Sequence, residues 1–119
     1  MGAARPLNEI KADLFKGLAH PVRIRVLELL AEVDERPVSD LLDHTGLEAS
    51  HLSQHLRVLR GYGLVASRRR ANSVLYRLAH ASVAELLAAA RIVLTDVVEA
   101  HEEAHVDAHA PARLEETAR

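Results

Sequence analysis

Three histidines recur at intervals of four near the end of the chain: His101, His105 and His109, within HEEAHVDAH. Positions i, i+4 and i+8 share one face of a helix, so a helix here presents three imidazoles in a column. Glu102 and Asp107 lie among them, and Glu99 stands just upstream. Imidazole and carboxylate donors without sulfur suit Ni²⁺, Zn²⁺ or Co²⁺ rather than Cu(I). A histidine pair four apart on a helix is a workable chelate. His101, His105, His109 and Glu102 are therefore the candidate metal ligands. The plainer reading is a solvated, frayed terminus. The chain has no cysteine, which excludes disulfides and thiolate metal sites.

A second constellation is ASHLSQHLRVL, residues 49–59. At about 100° per residue, Leu52, Leu56 and Leu59 fall on one side of a helix, and Ser50, Gln54, Arg57 and Gly61 fall opposite. Ser53 lies on one flank, and His51 and His55 lie on the other. Hydroxyl and amide groups can bond base edges, and arginine suits phosphate or guanine. A third group, Arg68, Arg69 and Arg70 with Asn72, clusters in a basic turn that can reach a phosphate strand or a minor groove. Arg60 lies between the two groups.

The charge distribution links them. The net charge is only −2, yet no Asp or Glu occurs between Glu48 and Glu85. That interval holds Arg57, Arg60, Arg68, Arg69, Arg70 and Arg77. Phosphates would meet no repelling carboxylate from this stretch. The bland alternative is a solvated helix face and an edge strand kept soluble by charge. From Glu99 onward six acidic residues face only Arg113 and Arg119, so the end of the chain is acidic.

The positioning elements follow from periodicity. Ile10, Leu14, Phe15 and Leu18 predict a helix over 8–18 with Asn8 as N-cap. Pro21 opens a second helix, about 21–33, apolar on most sides and hence central to the core. His20, just before it, reads as structural. Ser39 caps a short helix over 40–44 that Gly46 ends. The helix over 49–62 follows, stopped by Gly61 and Gly63. Helix, glycine turn, helix is the spacing of a helix-turn-helix. Leu64-Val65 and Val74–Tyr76 predict two strands around a turn at residues 70–73, with a minimal first strand near Arg36-Pro37. Val83, Leu86, Leu87, Ala90, Val93, Leu94 and Val97 mark a helical stripe over 82–100, with Ser82 as its cap. The order is ααααββα: mainly α with a small β-hairpin, a winged helix-turn-helix.

The runs FKGLAHPVRIRVLELL, VSDLLDHTGLEASHLSQHLRVLRGYGLV and RRRANSVLYRL resemble the ArsR/SmtB family of bacterial winged-helix regulators over about residues 8–98. The resemblance implies a homodimer that binds double-stranded operator DNA, usually a repressor released by an inducer, often a metal ion. Its DNA-binding residues would be Ser50, His51, Ser53, Gln54, His55, Arg57, Arg60, Arg68, Arg69, Arg70 and Asn72. Its dimer contact would use the first and last helices, through Leu14 and the stripe from Val83 to Val97. One metal site of the family places a Cys-x-Cys pattern at the entry to the third helix. Here Pro37 and Ser39 stand in the thiolate positions. A second site, on the last helix, is reduced to His80 and Asp96. The family's His/carboxylate nickel sensors put Ni²⁺ ahead of Zn²⁺ for the histidine cluster.

The expected organisation is a flexible N-terminus over 1–7, a DNA-binding and dimerisation domain over 8–100, and a His/acid-rich tail over 101–119. A cytoplasmic, nucleoid-associated protein is expected, since no apolar run reaches the ~20 residues of a membrane helix and the N-terminus lacks a signal-peptide core. Two rivals stand beside the regulator. One is a winged-helix protein-interaction module, or a regulator whose effector sensing comes from a partner protein. The other is a metal-dependent enzyme, disfavoured because no nucleophile–base pair and no Gly-rich phosphate loop is present.

Overall fold

The computed structural model describes residues 4–104. The elements in order are α1 (Leu7–Leu18), α2 (Pro21–Ala31), β1 (Arg36–Pro37), α3 (Val38–Thr45), α4 (Ala49–Gly61), β2 (Val65–Arg70), β3 (Ser73–Leu78) and α5 (Ala81–Ala104). The three strands form an antiparallel sheet in the order β1-β3-β2. The minimal first strand is real: Arg36 pairs with Tyr76, and Pro37 with Leu75. A proline without an N–H fits because β1 is an edge strand. The architecture is a winged helix-turn-helix, mainly helical with a small sheet.

The apolar periodicities resolve into a core of leucine and valine. Val26, Leu27, Leu29 and Leu30 of α2 are buried, together with Leu18, Leu41, Leu52, Leu56, Leu59, Leu64, Val65, Tyr76 and Val83. Helix α2 is thus the central helix. The boundaries differ from expectation at several ends. Pro6, not Asn8, holds the N-cap position of α1, and its carbonyl accepts from Glu9 and Ile10. Pro37, not Ser39, precedes α3, since its extended backbone turns directly from β1 into the helix. Helix α2 stops at Ala31, and Val33 is exposed rather than in the core. Gly61 lies inside α4; the reversal comes at Tyr62 and at Gly63, with φ +76°. Ser82 lies inside α5, one residue after its start.

Arg36 joins the middle of the fold. Its side chain donates to the Leu29 carbonyl at 2.9 Å, to Asp40 at 2.6 Å and to Glu32 at 2.8 Å. One guanidinium therefore adds a second donor to the Leu29 carbonyl, which also accepts from the Glu32 N–H, and holds the first turn of α3. By contacts the chain divides into two units, the first ending at Ala84 and the second beginning at Glu85, inside α5.

Candidate nucleic-acid interface

Helices α3 and α4 form the helix-turn-helix. Gly46 makes the turn with φ +70°, a left-handed conformation that a Cβ would strain. The Thr45 hydroxyl donates to the Leu41 carbonyl, which closes the end of α3. Leu52, Leu56 and Leu59 anchor α4 in the core. Ser50, His51, Ser53, Gln54, Arg57 and Arg60 are all exposed, as the angular map requires. Arg60 also donates to the Ser67 hydroxyl at 3.2 Å, linking α4 to the wing.

The wing is the β2–β3 hairpin, longer than the predicted strands. Val65 pairs with Leu78, and the ladder runs to Arg70 opposite Ser73. Its two-residue tip is Ala71-Asn72, with Ala71 at φ 54°. Arg69 and Arg70 are exposed, and among the described residues no side-chain hydrogen bond or ion pair engages them. Arg68 differs. Its guanidinium grips Glu35 in a two-pronged contact of 2.6 and 2.8 Å. The Arg68 hydrogen bonds hold the Glu35 carboxyl below its usual range, with help from the charges of Arg77 and Arg70. The same pairing raises Arg68. Arg68 is thus committed to a carboxylate that the acid-free interval does not contain. No feature of the local sequence signals this partner, 33 residues away.

His55 also departs from the expected DNA face. It is half-buried, with its ring 4.3 Å from that of His20 and its Nδ1 3.5 Å from Nη1 of Arg23. The flank it occupies faces the α1–α2 junction. His20 is structural, as read, because its Nδ1 accepts from the Val22 N–H and caps α2.

The description "Bacterial regulatory protein, arsR family" matches residues 20–67, which span α2 through the start of the wing. An uncharacterized HTH-type transcriptional regulator of Mycobacterium tuberculosis, Rv0081, is 54% identical over 96 residues, covering 80% of this chain and 83% of that protein. The chain belongs to the arsR family of bacterial regulatory proteins.

The crystal structure of Rv0081 superimposes with a TM-score of 0.76 at 52% identity, covering 82% of this chain and 98% of that one. A solution structure of a homodimeric winged helix-turn-helix DNA-binding domain from Mycobacterium bovis, Mb0332, gives a TM-score of 0.67 at 31% identity, covering 95% and 100%. A biofilm growth-associated repressor of Xylella fastidiosa is 42% identical over 80 residues, covering 67% of this chain and 68% of that protein. This ArsR-family chain is accordingly a transcriptional regulator with a DNA-binding winged helix-turn-helix.

The remaining expected residues of the regulator divide between two helices. In α5, Val83 is buried in the core of the first unit and so is already covered within the chain. Leu86, Leu87 and Leu94 are half-buried, as is Leu14 of α1. Ala90 is exposed, and Ile92, Val93 and Val97 are 62%, 60% and 55% exposed. On α1, Leu7, Ile10 and Phe15 are exposed as well. Of the proposed metal ligands, His101 and Glu102 lie in the last turns of α5, whereas His105 and His109 lie outside the described residues. Among the described residues no group of three or more His, Asp or Glu side chains could hold a metal ion. None of the described helices is long and apolar enough to cross a membrane.

Proposed function

We propose that the chain acts as a homodimeric, sequence-specific repressor that places α4 of each protomer in the major groove of operator DNA, at the nucleoid of the cytoplasm. The exposed, carboxylate-free face of α4 carries this reading. Ser50, Ser53 and Gln54 read bases, and Arg57 and Arg60 hold phosphates, while Arg69, Arg70 and Asn72 extend the contact from the wing. The homodimer is supported by the exposed valines and isoleucine of α5 and by the homodimeric Mycobacterium bovis domain at 31% identity. Two half-sites should then lie about one helical turn apart, or a multiple of it.

The test is a gel shift with duplex from the region upstream of the chain's own coding sequence, against a shuffled duplex of equal length. Preference for the former is expected. Equal, weak binding to both would refute operator recognition and favour a protein-interaction module.

For the effector the reading is a divalent metal ion, Ni²⁺ before Zn²⁺, taken by His101, His105, His109 and Glu102. What supports it is the four-residue spacing and the sulfur-free donor set. Calorimetric titration of Ni²⁺ and Zn²⁺ into the full chain and a chain ending at Val98 tests it. Equal binding by both chains would remove the cluster as the site and leave sensing to another ligand or a partner protein.

A further inference from the structure

Helix α4 makes contacts that DNA recognition does not use, and these gather at its junction with α1 and α2. Arg23 is half-buried on α2. Its Nε donates to the Gly17 carbonyl at 2.8 Å and its Nη2 to the Lys16 carbonyl at 3.2 Å. Both carbonyls belong to the last turn of α1, where intrahelical donors run out. The third arm of the guanidinium reaches Nδ1 of His55, on α4. His20 completes the group, with its Nδ1 on the Val22 N–H at 3.1 Å and its ring tilted 48° against that of His55. At the far end of α4, Tyr62 packs on Gly17, where an added Cβ would stand 2.7 Å from the ring. The recognition helix is therefore tied at two levels to the end of α1.

The hydrogen-bond roles here depend on protonation. Arginine and a backbone N–H can only donate, so Nδ1 of His55 and Nδ1 of His20 must both be unprotonated acceptors. An imidazolium donates from both nitrogens. Protonation of His55 would remove the acceptor that Arg23 meets and set an imidazolium against the Arg23 cation. His51 lies one turn away on the same helix and adds like charge. Among the described residues no carboxylate pairs with His20, Arg23 or His55. Burial first, and then the charges of His20, Arg23 and His51, hold His55 below the ordinary imidazole range.

We propose that Arg23, His20 and His55 form a proton-sensitive joint that sets the recognition helix against α1, so that acidification weakens sequence-specific DNA binding. Arg23 is the positioning residue, His55 is its proton-dependent partner, and His20 is the ring packed against His55. The inference rests on the operator-binding reading above.

Fluorescence anisotropy of the full chain at fixed ionic strength tests it, with the upstream-region duplex and a shuffled duplex as probes. Measurements at steps from about pH 7.5 down to about pH 5 start above the ordinary imidazole value of about 6.5 and run into the range below it, where His55 is held. Affinity for the upstream duplex should fall about five- to tenfold on acidification, the scale of one lost hydrogen bond. Affinity for the shuffled duplex should hold or rise, because added positive charge favours phosphate. In His55→Gln the side chain that meets Arg23 no longer titrates, so the acid loss should shrink to about twofold. His55→Ala lacks the acceptor at every pH and should show the reduced preference throughout. A wild-type preference that is unchanged or sharper at low pH would overturn the joint, as would a His55→Gln profile equal to the wild type's. No preference even at pH 7.5 would refute operator binding instead. The joint is then judged on the free protein by NMR: protonation of His55 should shift the α4 amides, and α4 amides that stay fixed through that titration would overturn it.

Discussion

Replacing Arg68 by alanine should leave the salt dependence of DNA binding nearly unchanged, although Arg68 belongs to the run of three wing arginines. Each phosphate neutralised by a cation contributes about 0.9 to the slope of log affinity against log salt. Arg68 contributes no such charge, because both prongs of its guanidinium are held by Glu35 at 2.6 and 2.8 Å. Arg69 and Arg70 are exposed and have no such partner among the described residues. In a dimer with two wings, removing both arginines should flatten the slope by about 3.6, if each meets one phosphate. Salt raised from about 50 to about 200 mM spans about 0.6 log units, so the wild type should lose about a hundredfold more affinity than the double variant over that range.

Glu35→Gln supplies the converse. It frees Arg68 and removes the carboxylate that pairs with it, so the slope should steepen by up to about 1.8 per dimer. The assay is a series of dissociation constants by fluorescence anisotropy across salt, with melting curves to show that each variant is folded. A flattening by Arg68→Ala equal to that of Arg69→Ala would refute the reasoning, because Arg68 would then leave Glu35 for phosphate when DNA binds. An unchanged slope in Glu35→Gln would refute it from the other side.

Three stability measurements probe the scaffold that presents this surface. Gly17→Ala would drive a methyl into the Tyr62 ring at 2.7 Å, and thermal melting should show a loss of about 1–3 kcal/mol, partly recovered by Tyr62→Ala. Arg36→Ala should lose about 2 kcal/mol by denaturant unfolding, because it strips a helix-end carbonyl and two carboxylates of one shared donor; a neutral result would show that water replaces the guanidinium without penalty. Folding lowers the affinity of His55 for a proton, so the unfolded chain takes up that proton first as pH falls. Stability should be full above about pH 6.5 and decline below it towards the depressed folded value, with a smaller decline in His55→Gln.

What was legible in the sequence was what local period determines. Leucines at 52, 56 and 59 are enough to orient α4, because helical geometry then fixes where Ser50, Gln54 and Arg57 must point. Gly46 announced its own turn, since only the left-handed region explains a glycine between two helical runs there. Even the two-residue β1 could be anticipated from a break at Arg36-Pro37 between helical segments. Helix starts fared worse. Asn8 and Ser39 have the chemistry of caps, yet prolines at 6 and 37 set the entry backbone first and the polar residues fell inside the helices.

The failures at the site share one cause, which is that a charge or a flank has no fate until its spatial neighbours are known. The interval from 49 to 84 is free of acid in sequence, but the wing it builds is not free of acid in space, because Glu35 stands just before β1 and β1 pairs with β3. His51 and His55 look equivalent on a helical wheel, four residues apart on one flank. The structure separates them: His51 is exposed, and His55 meets His20 and Arg23 across the α1–α2 junction. A residue on the edge of a binding face can serve the ligand or the scaffold. Here the identity of the opposing group decides, because an arginine already spent on two helix-end carbonyls offers His55 a donor that fixes its tautomer, whereas among the described residues His51 has no hydrogen-bond or ion-pair partner. The partition between reading surface and positioning joint therefore runs through α4 itself, one turn apart. This is why the pH dependence of binding and its salt dependence should report on different residues of the same helix-and-wing unit.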